Sequence, residues 1–340
     1  MKRFISVLII LCLVLGGCAA PPKDAEKRYT ATFLTLFDTV TTIVGQAESE
    51  EAFQQSSQTI HDQLLVYHRL FDIYEEYEGV NNLKTVNDNA GIAPVKVDKA
   101  IVDLMLDCRE YCGQTGGKVN AAMGSVLRLW HDARSDGIRD PANAYLPDME
   151  KLEAAAQHIS FDNVVIDQAA STVYLSDPHL RLDVGAIAKG WAAQRVAENA
   201  PSGMLISVGG NVCATGPKTD EGDPWVIGIQ DPYSDGNLHS VYLSQGCVVT
   251  SGDYQRTYMV DGRKYHHIID PETLMPSTHW QSVTVVCADS GLADALSTAL
   301  FVLPLEEGRA LAEKFEAQAF WFAAPGEEYM TPGFEEIIRT

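Results

Sequence analysis

Two residues in the C-terminal part of the sequence have the chemistry of a hard metal site. Asp294 and Thr298 are four residues apart in the segment Ala293 to Leu300, so on a helix their side-chain oxygens share a face. A carboxylate and a hydroxyl suit Mg²⁺, which takes further ligands from water or substrate phosphates. An aspartate that caps or solvates the start of the helix would produce the same pattern. These residues alone leave both interpretations open.

A histidine beside a proline is a second candidate. His267 and Asp270 lie in the run Tyr265 to Pro271, where the proline ends regular structure and holds the histidine near a carboxylate. Such a histidine can act as a general base near neutral pH. The spacing predicts a base at the end of a strand, and a surface His-His pair without a role is the alternative.

Small residues fill the loop from Asp183 to Trp191, which leads into a predicted helix. Small side chains let a ligand approach the backbone, and a helix start offers unpaired N–H groups to an anion. Ser207 to Asn211 and Thr250 to Tyr254 are two further glycine loops. Each of the three could instead be a tight turn that binds nothing.

Short strands and amphipathic helices must position these residues. The two kinds of element are mixed without strict alternation, so the sequence predicts an α+β fold in one domain. The predicted helices are 49–70, 98–112, 190–199, 292–303 and 305–317. The predicted strands are 30–45, 164–167, 172–175, 204–208, 225–229, 241–249 and 281–287.

The N-terminus has the pattern of a lipoprotein signal. Two basic residues precede an apolar run that ends at Leu15, and Gly16-Gly17-Cys18 follows. The run is shorter than the roughly 20 apolar residues of a spanning helix, so we expect a signal peptide over residues 1–17. Acylation of Cys18 would anchor the mature chain to the membrane through two acyl chains. An ordinary signal peptide with an incidental cysteine is the alternative.

The segment that follows is predicted to be a tether. Residues 18–28 are Pro-rich and charged and show no periodicity, as expected of a spacer between a membrane and a folded domain. The folded domain is then expected over 29–340. An extracytoplasmic location, with the chain lipid-anchored to a bacterial membrane, follows from this organisation.

The charge of the chain limits its ligands. With 25 basic and 46 acidic residues the net charge is −21, which makes nucleic acid an unsuitable partner. A pyrophosphate ligand would need a local cation or backbone amides to offset this charge, which favours a metal.

In this order, the segments resemble the ApbE family of FAD:protein FMN transferases. The resemblance is carried by Phe37-Asp38-Thr39, Phe71 to Tyr74, Asn120 to Gly124 with Leu129-Trp130, Asp183 to Gly190, Gly209-Gly210-Asn211, Thr250 to Gly252, His267 to Pro271 and Ala293 to Leu300. It implies that FAD binds in a cleft between two halves of an α+β domain, with Mg²⁺ on the pyrophosphate.

The resemblance also implies roles for individual residues. Asp294 and Thr298 match the family's side-chain metal ligands, and Ala186 matches a position that offers its backbone oxygen. The positions that match FAD contacts are Tyr74, Ala121, Ala122, Met123, Asp183, Lys189, Ile268 and Phe37, which stands where many members have methionine.

The expected reaction is transfer of FMN from FAD to a threonine hydroxyl with release of AMP. His267 would take the proton from the threonine, and Mg²⁺ would offset charge on the phosphates. The expected acceptor is an extracytoplasmic domain of a respiratory or electron-transfer complex. Two alternatives stay open: a Mg²⁺-dependent FAD pyrophosphatase in which water replaces threonine, and a flavin-binding lipoprotein without catalysis.

Overall fold

The computed structural model describes residues 27–34 and 36–340. The predicted signal peptide, Cys18 and most of the predicted tether lie outside these residues. The first strand begins at Lys27, so the last two residues of the predicted tether belong to a sheet. Across the described ranges, we find no helix with the length and apolar character needed to cross a bilayer.

Fifteen strands and nine α-helices make up the described chain. The strands are β1 (Lys27–Leu34), β2 (Val40–Ala47), β3 (Val95–Lys96), β4 (Val164–Asp167), β5 (Thr172–Leu175), β6 (Met204–Val208), β7 (Asn211–Ala214), β8 (Trp225–Gln230), β9 (Asn237–Leu243), β10 (Gly246–Gly252), β11 (Tyr258–Val260), β12 (Arg263–Tyr265), β13 (Ser282–Cys287), β14 (Gln318–Ala324) and β15 (Glu327–Met330). The helices are α1 (Glu50–Phe71), α2 (Leu83–Asp88), α3 (Lys99–Gln114), α4 (Gly124–Arg139), α5 (Met149–Ala156), α6 (Ala188–Ala197), α7 (Ser290–Val302), α8 (Leu305–Lys314) and α9 (Pro332–Ile337).

An antiparallel sheet of eight strands organises the molecule, in the spatial order β1-β2-β6-β7-β10-β13-β14-β15. Strand β13 is covered on both faces. Val283 and Val285 pack towards α7, whereas Val286 packs with the β8–β9 hairpin on the other face. Double burial explains why this strand reads as a continuous apolar run in the sequence. The mixture of antiparallel sheets and helices confirms the predicted α+β class.

Several predicted elements coincide with the structure, whereas the first predicted strand is wrong. Strands β4, β5 and β6 have the predicted bounds. The single strand expected over 30–45 is a hairpin of β1 and β2, because a 3₁₀ turn at Leu36–Asp38 interrupts it. Phe37 and Asp38 in this turn have φ values of +52° and +53°. Both sides of the turn keep an alternating pattern, so periodicity alone does not reveal the break.

Two further differences concern strand breaks and missed helices. The run predicted over 241–249 is divided between β9 and β10, and Gly246 has a φ of +105° where β10 begins. Helices α2, α4, α5 and α9 were not among the predicted elements. Helix α4 begins at Gly124 without a side-chain cap, so the sequence carries no start signal there.

Helix α1 follows its sequence pattern closely. Phe53, Ile60 and Leu64 are buried along one face and pack against the sheet. The side chain of Ser49 caps the helix by accepting a hydrogen bond from the Ala52 N–H at 3.2 Å. The predicted helix over 49–70 is thereby confirmed.

Helices α6 and α7 approach each other unusually closely at one glycine. A Cβ atom on Gly190 would lie 2.2 Å from the Ser290 carbonyl oxygen and 2.5 Å from Cβ of Asp294. Only glycine allows this contact. It brings the start of α6 against the first turns of α7, where the candidate metal residues lie.

Candidate active site

Asp294 is a buried carboxylate on α7 that is not the helix cap. The cap is Asp289, whose Oδ1 accepts a hydrogen bond from the Leu292 N–H at 2.8 Å. The Asp294 residue is 4% exposed, and its Oδ2 accepts a hydrogen bond from the Gly190 N–H at 2.9 Å. Nζ of Lys189 lies 3.4 Å from the same oxygen. The capping interpretation of Asp294 is therefore wrong.

The oxygens around Asp294 fit a magnesium ion. Thr298 and Ala186 line the same pocket as Asp294, so residues that can offer a carboxylate, a hydroxyl and a backbone carbonyl border one cavity. Mg²⁺ prefers hard oxygen ligands of this kind and keeps several positions for water or phosphate. Residues 27–34 and 36–340 contain no group of three or more His, Cys, Asp or Glu side chains suited to a metal. The candidate metal site thus depends on this mixed oxygen set.

The hydroxyl of Ser297 is hydrogen-bonded within the protein. Its Oγ lies 2.8 Å from Oγ of Ser251 and donates to the Asp294 carbonyl oxygen at 2.9 Å. The residue is fully buried on α7. Ser297 therefore links α7 to strand β10 beside the pocket.

The two adjacent histidines have different environments. Nε2 of His266 donates to the Ser277 carbonyl oxygen at 2.8 Å, and its Nδ1 accepts from the Ile268 N–H at 3.2 Å. Both ring nitrogens of His266 are thus occupied. Nδ1 of His267 is buried and has no hydrogen-bond partner in the described chain. Both histidines line the pocket, and His267 is the one whose Nδ1 makes no hydrogen bond within the described chain.

His267 is held in its neutral form. Burial lowers its pKa to about 3, and the positive charges of Arg256, His266, Arg134 and Lys189 act in the same direction. The ring is therefore neutral and can accept a proton, but it is a weak base in the ligand-free protein, and the negative charge of bound phosphates would raise its pKa.

The carboxylate expected beside His267 has other partners. Oδ1 of Asp270 accepts a hydrogen bond from the Glu272 N–H at 3.1 Å, and Oδ2 accepts one from the Thr273 hydroxyl at 3.3 Å. Nζ of Lys118 lies 3.8 Å from Oδ1. Asp270 thus stabilises the turn that follows His267, and no described carboxylate hydrogen-bonds to the His267 ring.

Two backbone segments lie side by side in the pocket. The Asp183 N–H donates to the Ala121 carbonyl oxygen at 2.8 Å. The buried side chain of Asn87 brackets Leu182, accepting from its N–H at 2.7 Å and donating to its carbonyl at 3.0 Å. Ala121 and Asp183, distant in sequence, are thereby fixed next to each other.

Helix α4 and the loop before β11 supply a wall of the pocket that sequence reasoning missed. His131 and Arg134 come from α4, Arg256 comes from the loop, and the ring of Tyr74 stacks on His131 with centroids 5.0 Å apart. The sequence carried little indication of these pocket residues, because α4 has no cap and Arg256 lies outside any motif.

Asn211 is a further pocket residue that had no assigned role. It is 2% exposed, and its Nδ2 has no hydrogen-bond partner in the described chain. Gly209, two residues before it, has a φ of +57°, and a Cβ there would lie 2.6 Å from Oγ1 of Thr39. The glycine turn therefore positions Asn211 in the lining of the pocket, with a buried amide donor that has no acceptor in the described chain.

The structure brings most of the predicted site residues to this one pocket. Those that line it are Tyr74, Ala121, Met123, Asp183, Ala186, Lys189, His267, Ile268, Asp294 and Thr298. Ala122 does not line it, because its side chain is fully buried in the neighbouring core. Phe37 does not line it either: its ring packs against His68, although Asp38 and Thr39 beside it reach the pocket.

Residues 37–321 match the ApbE family model. This chain belongs to the ApbE family. The resemblance seen in the sequence is thereby confirmed, and the ApbE match covers each of the pocket segments described above.

Curated relatives of this ApbE chain carry one name. An "FAD:protein FMN transferase" of Treponema pallidum is 35% identical over 264 residues, which are 72% of this chain and 70% of the relative. A protein of the same name from Escherichia coli K12 is 26% identical over 348 residues, covering 97% of this chain and 96% of the relative.

Solved structures agree with the fold. The crystal structure of the ApbE protein from Thermotoga maritima superimposes with a TM-score of 0.81 at 29% identity, covering 92% of this chain and all of that one. A flavin transferase ApbE from Vibrio cholerae gives a TM-score of 0.75 at 22% identity over 92% of this chain, a likeness of fold.

Proposed function

We propose that this ApbE-family enzyme is an FAD:protein FMN transferase that uses Mg²⁺ and a threonine acceptor outside the cytoplasm. The observation that carries the proposal is that His267, whose ring makes no hydrogen bond through Nδ1 within the described chain, and the buried Asp294 line the same pocket. A base and a hard-oxygen site are what transfer of a phosphoryl group to a hydroxyl requires.

Different residues of the chain would bind the metal and the phosphates. Asp294, Thr298 and the carbonyl of Ala186 would hold Mg²⁺, which when bound offsets negative charge on the phosphates of FAD. Lys189 adds a second positive charge next to Asp294. These groups hold the FAD substrate with its pyrophosphate at the α6–α7 end of the pocket.

His267 moves the proton. Its neutral ring accepts the proton of the threonine hydroxyl as the threonine oxygen bonds to the FMN-side phosphorus of FAD. The bond between that phosphorus and the oxygen bridging to AMP breaks, and AMP leaves with the electron pair. The products are a phosphoester-linked flavin on the acceptor protein, and AMP.

Purified chain, FAD and Mg²⁺ incubated with candidate acceptor domains provide the test. Intact mass spectrometry of the acceptor should show a gain of one FMN less one water, with one AMP released for each flavin transferred. AMP and free FMN with an unchanged acceptor would instead identify a pyrophosphatase. FAD that stays bound and intact would identify a flavin-binding protein.

We further propose that Cys18 carries a lipid anchor and that the acceptor belongs to an extracytoplasmic domain of a respiratory or electron-transfer complex. The sequence Gly16-Gly17-Cys18 after an apolar run supports the anchor. Cells grown with a labelled fatty acid should incorporate the label into the wild-type protein and not into Cys18→Ala. A wild-type protein that carries no label would contradict the anchor.

A further inference from the structure

Three cysteines lie in a row across three neighbouring strands of the large sheet. Cys247 on β10 is directly opposite Cys213 on β7, and on its other side it is directly opposite Cys287 on β13. Directly opposed residues of antiparallel strands carry their side chains on the same face of the sheet. The row lies on the face that packs against helices α6 and α7.

The sulfur atoms of Cys213 and Cys247 are in contact. Their Sγ atoms are 3.2 Å apart, and the two residues are 1% and 2% exposed. Opposed residues of an antiparallel pair have Cα atoms about 4.5–5.5 Å apart, within the roughly 4.4–6.8 Å that a disulfide bridges. The sulfurs need to approach by only about 1 Å to reach the S–S bond length. The two strands can therefore be cross-linked in their present register.

Cys287 is the less suitable partner for Cys247. Its thiol donates to the Asp289 carbonyl oxygen at 3.2 Å, in the turn before α7. Cys287 cannot reach Cys213 either, because β10 lies between their strands and neighbouring strands are about 4.8 Å apart. The sulfur contact thus favours the pair of Cys213 and Cys247.

The two thiols lie beneath the junction of α6 and α7. Sγ of Cys247 is 3.7 Å from Oε1 of Gln194 on α6, and the same oxygen accepts a hydrogen bond from the Ser290 N–H at 2.9 Å. Ser290 begins α7, and its carbonyl faces Gly190 where the two helices are closest. A covalent bond at Cys247 would therefore stabilise the part of the sheet that supports the candidate active site.

We propose that Cys213 and Cys247 form an intramolecular disulfide in the exported protein. The oxidant is a molecule that itself carries a disulfide. The thiolate of one cysteine attacks the oxidant and forms a mixed disulfide, and the other cysteine then attacks this mixed disulfide. One S–S bond forms in the protein and one is lost from the oxidant, which takes up two electrons and two protons and leaves as two thiols.

Burial determines when this reaction takes place. Because both thiols are covered in the folded protein, exchange with the oxidant occurs while the chain folds, and the finished disulfide is shielded from reductants. The proposal rests on the extracytoplasmic location proposed above, since disulfides persist in oxidising compartments. It does not require the proposed transferase activity.

Peptide mapping of the full-length protein tests the pairing, because trypsin separates the three cysteines. Cleavage after lysine and arginine places Cys213 in the peptide 196–218, Cys247 in 219–256 and Cys287 in 265–309. The protein is isolated from the envelope of a bacterium that exports it, its free thiols are alkylated in denaturant, and it is digested without reductant. We expect 196–218 linked to 219–256, two hydrogen atoms lighter than the sum of the two peptides, with Cys287 alkylated.

Refolding with a defined oxidant tests the chemistry without reference to location. Full-length protein refolded in detergent with oxidised glutathione should melt about 5–10 °C above protein refolded with reduced glutathione. Cys247→Ala should melt at one temperature under both conditions. Cys287→Ala is the matched control, because this cysteine stands in the same row and should leave the shift intact. If Cys247→Ala does not fold, Cys213→Ala or the wild-type peptide map carries the test.

Several results would overturn the proposal. Alkylation of both Cys213 and Cys247 in the protein from the envelope would show that the disulfide does not form in the exported chain. A link between 219–256 and 265–309 would assign the bond to Cys287 instead. A glutathione adduct that persists on Cys213 or Cys247 after refolding would show that the second exchange step fails. None of these measurements uses FMN transfer, so failure of the proposed function is detected separately.

Discussion

The carboxylate of Asp294 accepts a hydrogen bond from the backbone N–H of Gly190, with 2.9 Å between Oδ2 and N. This bond joins the first turn of α6 to α7 at the point where the two helices are closest. The loop from Asp183 and the candidate metal residues are therefore parts of one rigid unit. Changes on either helix should affect both stability and the metal site.

Asp294→Asn should separate the charge of the carboxylate from its hydrogen bond. The amide oxygen can still accept from Gly190, so the protein should fold. Loss of the negative charge should lower Mg²⁺-dependent AMP release by at least about 100-fold, since loss of even an outer-shell partner can cost that much in a metal site. AMP release is measured across a magnesium titration.

Asp289→Asn is the control, because asparagine caps helices as well as aspartate does and Asp289 caps α7. It should keep nearly full activity. A wild-type magnesium response in Asp294→Asn would remove Asp294 from the metal site.

Gly190→Ala should destabilise the protein. The added methyl group would meet the Ser290 carbonyl at 2.2 Å and Asp294 at 2.5 Å, so the helices must move apart. We expect a loss of about 1–3 kcal/mol in the free energy of unfolding, measured by urea denaturation. Gly113→Ala is the matched control on α3, where a Cβ has nothing within 4 Å. That change should be neutral or stabilising.

His267→Gln should remove the base while keeping a polar side chain. Transfer of FMN should slow by about 10² to 10⁴-fold, the usual contribution of a general base, with FAD affinity little changed. Single-turnover kinetics and flavin fluorescence measure the two quantities. Transfer at the wild-type rate would show that another group accepts the proton.

The low pKa of His267 predicts a pH dependence of stability. Its folded-state pKa is about 3, below the ordinary value of 6.5. Below pH 6.5 the unfolded chain therefore binds a proton that the folded chain does not, and stability falls as the pH falls towards 3. The stability advantage of the wild type over His267→Gln should shrink by up to about 1.4 kcal/mol per pH unit in this window. Urea denaturation at several pH values measures it, and a constant difference would contradict a depressed pKa.

Asn211→Ala should distinguish a ligand contact from a structural one. The buried Nδ2 of Asn211 has no protein acceptor, so its removal should leave the melting temperature unchanged or slightly higher. If the amide donates to FAD, affinity should fall about tenfold, which fluorescence quenching would detect. A lower melting temperature with unchanged FAD affinity would make Asn211 structural.

The sequence alone determined the fold class, the family and many elements. Helix α1 and strands β4 to β6 could be predicted because their apolar periodicity and caps are local properties of the chain. The hairpin of β1 and β2 could not be predicted, because Phe37 and Asp38 have positive φ values there and no glycine in the sequence marks the turn. Helix α4 was missed for lack of a cap.

At the site, the sequence supplied residue types and the tertiary structure decided their roles. Spacing placed Asp294 and Thr298 on one helix face, but only the structure shows that Asp289 is the cap and that Asp294 accepts from Gly190. The sequence could not tell which of the two adjacent histidines has a structural role. The structure shows that both ring nitrogens of His266 are hydrogen-bonded within the protein. Arg134 and Arg256, 122 residues apart by their numbering, line the same pocket because α4 and the loop before β11 fold onto it. Electrostatic interactions depend on distance in space, which the order of residues along the chain does not fix.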